Sequence, residues 1–250
     1  MSTVQKPPIC RFIEVDYQLN VGWVHPLLTS LSSHPRLRSK HESWSSSKLS
    51  DFAFAVETRH GTLREIVNRM NEELGSLISE IEAKGDVSMY IADWSNGKYT
   101  CLKPAFRLKN QRALKMVLYS VNALIVESRA CFENLTSFYR EFVRHYFDKQ
   151  VSKTSAYAYV AALAGDPAWA NDLKAIRDDL LHERSTWLAF QVLGEPVQRY
   201  EAVFTLNWRP GSYNPGDSMT FSTLRGIQKG LDDATFKLTE TLKREVEALN

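Results

Sequence analysis

Arginine, aspartate and histidine occur together near the end of one predicted helix, and these residue types can perform acid–base chemistry. Asp166 and Pro167 mark the start of that helix, because aspartate caps unpaired N–H groups and proline suits the first helical position. At 100° per residue, four apolar residues share one side and are expected to face the core: Leu173, Ile176, Leu180 and Leu181. Arg177 lies within that arc, where a permanently charged guanidinium needs a partner or a cleft.

Asp178 and His182 are candidates for an acid–base pair on the polar side of the same helix. They are four residues apart, so the carboxylate can reach the imidazole, fix its tautomer and support its protonated form. Arg177 and His182, five residues apart, point about 140° away from each other on an ideal helix. We therefore expect either that the helix opens after Leu181 or that the two residues act across an interface.

The run Arg177-Asp178-Asp179-Leu180-Leu181-His182 consists of an arginine, a polar residue, three variable residues and a histidine. It resembles the motif of the HEPN superfamily (higher eukaryotes and prokaryotes nucleotide-binding), in which asparagine is common where Asp178 stands. The resemblance implies metal-independent RNA cleavage by the arginine and the histidine, in a site that two protomers of a homodimer assemble. The segment from Glu127 to Leu135 is similar to the first core helix of such proteins.

The chemistry that the resemblance implies is coherent for these side chains. His182 would take a proton from a ribose 2′-hydroxyl or give one to the leaving oxygen, since histidine titrates near neutrality. Arg177 would stabilise the charge that develops on the phosphate, and neither a metal ion nor another cofactor is required. Glu127 and Glu133 are candidates to face Arg177 and neutralise it, although a surface pair between Arg129 and Glu133, four residues apart, is the simpler expectation.

The composition is that of an ordinary soluble protein and indicates no nucleic-acid partner by itself. Thirty-one Lys and Arg residues against 29 Asp and Glu residues give a net charge of +2, so any RNA-binding surface must be local. Cys10, Cys101 and Cys131 have no metal-binding spacing and are expected to be core fillers in a reducing compartment. No apolar run approaches the roughly 20 residues of a membrane span, which favours the cytoplasm.

The sequence contains none of the motifs of four other common enzyme classes. A Walker loop, a dinucleotide glycine loop, His-Glu-x-x-His and Gly-x-Ser-x-Gly do not occur, which disfavours ATPase, dehydrogenase, zinc-protease and α/β-hydrolase functions. The remaining histidines are scattered, and each is expected at the surface or in a loop: His25, His34, His41, His60 and His145.

Apolar residues at steps of three and four predict long antiparallel helices over 63–84, 105–148, 167–183 and 222–248, with a small packing helix over 155–164. Whether the first of these extends back past Gly61 through Phe52 and Phe54 is left open.

Alternating apolar residues predict strands over 13–23, 187–192 and 200–208, the last two as an antiparallel pair. Asn96-Gly97 predicts a hairpin between 87–94 and 98–103. The serine-rich stretch 30–50, with its basic residues around Trp44, is expected to be a solvated linker, or else a loop that contacts RNA.

We therefore expect a single mainly α domain over residues 1–250, an antiparallel helical bundle of HEPN-like type with a small ancillary antiparallel β element. An N-terminal strand and polar loop would occupy 1–50, and the HEPN-like helical core with its inserted β-hairpin would occupy 105–250. The first functional hypothesis is a dimeric endoribonuclease of toxin or defence type, in which His182 is the acid–base residue, Arg177 holds the phosphate and Asp178 orients His182. Its expected partners are RNA, a second copy of the chain and an antitoxin-like protein.

The second hypothesis belongs to a different class. It is a non-catalytic helical interaction or nucleotide-binding module, in which Arg177 and Asp178 form a structural salt-bridge network. A basic concavity around His182 would favour the first hypothesis, and burial of His182 beneath Trp187 would favour the second.

Overall fold

The computed structural model describes residues 21–91, 93–95, 98–100, 106–181, 186–194, 199–205 and 218–249. The protein is mainly α-helical with a small antiparallel β element, as predicted. The helices in these ranges are α1 (His25–Ser33), α2 (Arg38–His41), α3 (Lys48–Glu82), α4 (Gln111–Phe147), α5 (Lys153–Leu163), α6 (Ala168–Leu181) and α7 (Phe221–Glu247). No helix in the described ranges is both long enough and apolar enough to cross a bilayer.

Helix α3 begins at Lys48 rather than near residue 63, so the apolar stripe does continue through the segment before Gly61. The Ser47 hydroxyl accepts a hydrogen bond from the Ser50 N–H and caps the helix start. Buried residues then recur at helical spacing through Val56 and His60 to Ile81. Packing of this stripe outweighs the roughly 1 kcal/mol that a glycine costs inside a helix.

The predicted N-terminal strand and polar loop are wrong for residues 21–50, which form short helices and turns. Residues 13–20 of the predicted strand lie outside the described residues, while Gly22–Val24 forms a 3₁₀ turn in which the Trp23 indole N–H donates to the Ala53 carbonyl at 3.0 Å. The predicted linker contains the end of α1, all of α2 and the start of α3. Its serines disfavour helix, but Leu31 and Leu37 are buried in the core, and this packing overrides local propensity.

The basic side chains of this stretch belong to the bundle surface. Lys40 donates to the His145 carbonyl at 3.0 Å and pairs with Asp148 at 3.1 Å. The Trp44 ring packs edge-on against Phe138, with ring centroids 6.2 Å apart. The segment is therefore docked against the end of α4 and is not a solvated linker.

Helices α3 and α4 form the long antiparallel pair around which the other helices pack. Asn110 caps α4 by accepting from the Ala113 N–H, and its amide also donates to the Ser76 hydroxyl at 3.1 Å. Toward the other end, Arg59 on α3 forms an ion pair with Glu127 on α4. The core around α4 is rich in aromatic rings. Phe132 packs against Tyr157 on α5 and Trp169 on α6, and Phe138 packs against Trp23 and Trp44.

The β elements confirm the predicted pairings and add one strand. Strands β1 (Asp93–Ser95) and β2 (Lys98–Thr100) pair antiparallel as predicted. Ser88–Tyr90, predicted as part of the first strand, instead forms a 3₁₀ turn, and residues 101–103 of the second lie outside the described residues. Strands β3 (Trp187–Leu193) and β4 (Arg199–Thr205) are antiparallel, with Trp187 opposite Thr205, and residues 206–208 of the predicted strand lie outside the described residues. The short strand β5 (Ser218–Thr220), which the sequence did not predict, pairs with β4 and leads directly into α7.

Candidate functional site

The helix that carries the predicted site, α6, starts as its sequence indicates. The Asp166 carboxylate accepts the Ala168 N–H at 2.9 Å, and the Asn171 N–H bonds back to the Pro167 carbonyl. Leu173 and Ile176 are buried, as expected of a core face. The side chains of Leu180 and Leu181 lie outside what the structure describes.

Arg177 and Asp178 are brought together at the surface near the end of α6. One guanidinium nitrogen of Arg177 lies 3.1 Å from Asp178 Oδ1, and the two side chains are 41% and 46% exposed. Arg177 is therefore on the margin of the apolar stripe, half in solvent, and its charge is matched by a neighbour in the chain. His182 lies outside the described residues, so the expected pair between Asp178 and His182 does too.

The acidic residues of α4 do not pair with Arg177. Glu127 forms its ion pair with Arg59, and Glu133 accepts a hydrogen bond from Arg129 Nε at 3.0 Å. Arg129 also donates to the Tyr157 hydroxyl at 3.1 Å. The simpler expectation, a surface pair four residues apart on α4, is thus confirmed.

A cavity of about 310 Å³ lies at the opposite end of α6, against α7. Three carboxylates, those of Asp166, Asp172 and Asp233, line it beside Lys229, which pairs with Asp233 at 2.6 Å. An acidic lining repels a polyanion, so RNA is not expected to bind at this end of the helix.

A second cluster of titratable residues, which the sequence did not predict, is built around His60. Its ring is buried on α3: Nδ1 lies 2.9 Å from Asp232 Oδ1, and Nε2 lies 2.9 Å from the Thr235 hydroxyl, both on α7. The prediction that His60 is a surface or loop histidine is therefore wrong. The available signal was its spacing, since it continues the helical stripe between Val56 and Leu63.

This aspartate–histidine–hydroxyl chain has the order of a hydrolase triad but not its accessibility. Thr235 is only 5% exposed, and its hydroxyl donates to the Leu231 carbonyl at 2.8 Å. A nucleophile must reach a substrate carbonyl or phosphate, and this hydroxyl is enclosed by the helix on which it lies. The His60 chain is structural and ties α3 to α7.

The neighbouring thiol is also chemically inert. Burial raises the pKa of Cys131 to about 12, an effect that nearby Asp232 and Glu127 increase and that Arg59 opposes. A thiol that remains protonated at neutral pH is a poor nucleophile and a poor metal ligand. Cys131 is a buried core residue, as expected, and Cys10 and Cys101 lie outside the described residues.

The described ranges contain no group of three or more His, Cys, Asp or Glu side chains placed to hold a metal ion. Comparisons of the chain with protein-family models, with curated proteins and with solved structures find no match.

Proposed function

We propose that the protein is a metal-independent endoribonuclease of HEPN type that acts as a dimer, with Arg177 and His182 as its catalytic residues. The observation that carries this proposal is the state of Arg177. Its guanidinium is half exposed near the end of α6, shortly before the segment that contains His182, and within the described residues its ion-pair partner is the half-exposed carboxylate of Asp178. A cation in that position is available to a phosphate.

Transfer of Arg177 from Asp178 to a substrate phosphate would cost little free energy. An exposed ion pair such as that of Arg177 with Asp178 contributes about 0.2–1 kcal/mol, while hydrogen bonds to charged groups contribute about 1.5–3 kcal/mol each. A phosphodiester can accept two parallel N–H bonds from one guanidinium, which favours transfer of Arg177 from Asp178 to the phosphate. Asp178 would then be released to orient His182, which exchanges protons with the ribose hydroxyl and the leaving oxygen.

The biological setting that we propose is a toxin or defence role in the cytoplasm, with an antitoxin-like protein as a partner. A ribonuclease that needs no metal ion is active wherever it meets RNA, so its control must come from another molecule. The three cysteines, which lack metal-binding spacing, suit a reducing compartment.

The test is cleavage of labelled single-stranded RNA and transfer RNA in the presence of a chelator. We expect His182→Ala to lower the cleavage rate by at least about 100-fold, the smallest usual contribution of an acid–base group. Arg177→Ala should lower it by about 100-fold or more, because it removes a group that stabilises the charge developing on the phosphate. His25→Ala and Arg225→Ala, which remove an exposed histidine and an exposed arginine elsewhere, should leave the rate unchanged. Cleavage that survives both site substitutions would exclude the proposed enzyme.

A second candidate function has its own supporting observation. The 3.1 Å contact of Arg177 with Asp178 neutralises both charges, which suits a non-catalytic helical interaction or nucleotide-binding module. In that case the protein would bind its ligand without cleaving RNA. Arg177→Ala would then change only stability, by no more than about 1 kcal/mol for an exposed pair.

A further inference from the structure

One side of α4 combines cations with a large exposed aromatic ring. Arg112, Lys115 and Tyr119 follow one another at steps of three and four residues, and Asn122 and Val126 continue the same line along the helix. All five residues are exposed, and Tyr119 is 70% exposed. We call this line of residues the α4 face. Cations next to an exposed aromatic ring are typical of surfaces that bind single-stranded nucleic acid.

The chain is locally basic at the α4 face, although the whole protein is nearly neutral. Between Phe106 and Val126 the sequence contains no acidic residue, and its cations are Arg107, Lys109, Arg112 and Lys115. In the part of the chain that the structure describes, neither Arg112 nor Lys115 has a carboxylate within 4 Å. A net charge of +2 requires any RNA-binding surface to be local, and this segment meets that requirement.

The α4 face also reaches the segment that contains the candidate catalytic histidine. The Thr186 hydroxyl donates to Asn122 Oδ1 at 3.4 Å, so the chain that follows His182 returns to α4 at Asn122. Thr186 is four residues after His182, and four residues span at most about 14 Å. From Arg112 to Asn122 the α4 face is about 15 Å long. It therefore leads from the first turn of α4 to the candidate site.

We propose that the α4 face binds single-stranded RNA and holds it beside the segment that contains His182. Arg112 and Lys115 contact phosphates of the strand, and a base stacks on the Tyr119 ring. The amide N–H groups of Asn122, which make no hydrogen bond within the described ranges, donate to a phosphate or to a base edge.

The acidic side of α3 determines how the strand lies on α4. A groove of about 480 Å³ separates Tyr119 from α3, where one cation, Arg69, is outnumbered by three glutamates that line the groove: Glu65, Glu72 and Glu73. Carboxylates repel phosphates, but they accept hydrogen bonds from the amino groups of bases. The phosphates therefore lie on the side of Arg112 and Lys115, and the bases turn toward the groove.

This inference rests on the proposed function, because it names the surface on which the enzyme holds its substrate. Binding and cleavage are nevertheless separate measurements. RNA that binds the α4 face without being cleaved leaves the inference standing and removes the proposed enzyme. RNA that is cleaved with an unchanged KM in variants of the α4 face removes the inference and leaves the enzyme.

The experiment measures the affinity for a labelled single-stranded RNA by fluorescence anisotropy at several salt concentrations. The His182→Ala chain is used so that the RNA stays intact. Adding R112Q/K115Q should reduce the slope of log affinity against log salt by about 1.4, since each phosphate contact on a single strand contributes about 0.7. This change corresponds to roughly 25-fold in affinity between 1 M and 0.1 M salt. R225Q/K237Q, which removes two exposed cations of α7, should change neither the slope nor the affinity.

Tyr119→Ala provides a second measurement that changes no charge. It should weaken RNA binding by roughly 5-fold or more at an unchanged salt slope, because it removes the stacking of one base. Inorganic polyphosphate, which has phosphates and no bases, should lose affinity in R112Q/K115Q and not in Tyr119→Ala. In cleavage assays with His182 present, both changes should raise KM and leave kcat nearly unchanged, because these contacts form before the reaction.

Three results would overturn the proposal. The first is the absence of RNA binding at protein concentrations up to about 100 µM, the weak limit of non-specific binding. The second is an RNA affinity that neither R112Q/K115Q nor Tyr119→Ala lowers, and the third is an equal loss in R225Q/K237Q. Far-ultraviolet circular dichroism establishes that each variant is folded.

Discussion

The Nδ1 atom of His60 on α3 lies 2.9 Å from a carboxylate oxygen of Asp232 on α7. The other ring nitrogen lies 2.9 Å from the Thr235 hydroxyl, one turn further along α7. A single buried side chain therefore bonds twice to the terminal helix. These two bonds fix the position of α7 along α3 more specifically than apolar contacts alone, because hydrogen bonds require a particular register.

Asp232→Ala should lower the free energy of unfolding by about 1 kcal/mol or somewhat more, since it leaves a buried ring nitrogen without its partner. The partly exposed position of the carboxylate keeps the loss near the lower end of that range. Asp233→Ala is a matched control one residue away, where the lost partner is the exposed Lys229 and the expected change is below about 0.5 kcal/mol. Urea unfolding midpoints at unchanged slope measure both, and equal shifts would contradict a structural role for His60.

Gly230 and Gly226 on α7 should respond to alanine in opposite directions. A Cβ atom on Gly230 would lie 2.4 Å from the Trp169 ring, whereas a Cβ atom on Gly226 would meet nothing within 4 Å. We expect Gly230→Ala to destabilise the protein by about 1–3 kcal/mol through overpacking. Gly226→Ala should stabilise it by about 0.5–1 kcal/mol through helix propensity. Thermal denaturation of the two variants compares them directly, and a shift of the same sign in both would contradict this packing.

The long helices were predictable because their apolar spacing is dense and regular. The apolar stripe of α4 continues through Phe132 to Tyr146, so packing of this face and local helix propensity both favour the helix. Helix α1 was not predicted, since serines disfavour helix locally, and the start of α3 was left open because Gly61 interrupts its apolar stripe. Their stability comes from leucines such as Leu31 and Leu49, which are buried by elements distant in sequence.

The candidate site was predictable only as a pattern of residue types. Spacing indicated that Arg177 lies on the core side of α6, but the length and flexibility of an arginine allow its head to reach solvent and Asp178. The network around His60 was not predictable, because its partners Asp232 and Thr235 lie far along the chain. Helical spacing indicates that a histidine faces the core, but it does not identify the residues of another helix that the histidine contacts.

Glu80 should contribute to stability in a pH-dependent way. Its carboxylate accepts hydrogen bonds from the backbone N–H groups of Lys109 and Asn110, and these bonds hold its pKa below the ordinary value of 4.5. Because the pKa of Glu80 is lower in the native state than in the unfolded state, its contribution to the free energy of unfolding is complete above pH 4.5. This contribution is lost as the pH falls through the native pKa.

Glu80→Gln should therefore be less stable than the natural chain at pH 7, and the difference should narrow as the pH falls below 4.5. Glu82→Gln, at an exposed position two residues away, is the matched control and should run parallel to the natural chain. Urea midpoints between pH 7 and pH 3 measure the three proteins. A constant difference for Glu80→Gln across this range would contradict the stabilising role of the hydrogen bonds between the Glu80 carboxylate and the Lys109 and Asn110 N–H groups.

Cys131 should be unreactive in the native protein for two reasons that act together. Its side chain is completely buried, and its pKa of about 12 leaves a thiolate fraction on the order of 10⁻⁴ at pH 8. In a C10S/C101S variant Cys131 is the remaining thiol, so an aromatic disulfide reagent should label it only as fast as the protein opens. We expect labelling in about 6 M urea to be at least roughly 1,000-fold faster than in buffer, because the thiol is then exposed and its pKa returns to an ordinary value. Cys131→Ser in the same background supplies the blank. Rapid stoichiometric labelling of the native variant would show that the thiol reaches solvent, and the packing of α4 against α3 and α7 would then have to be looser than the structure has it.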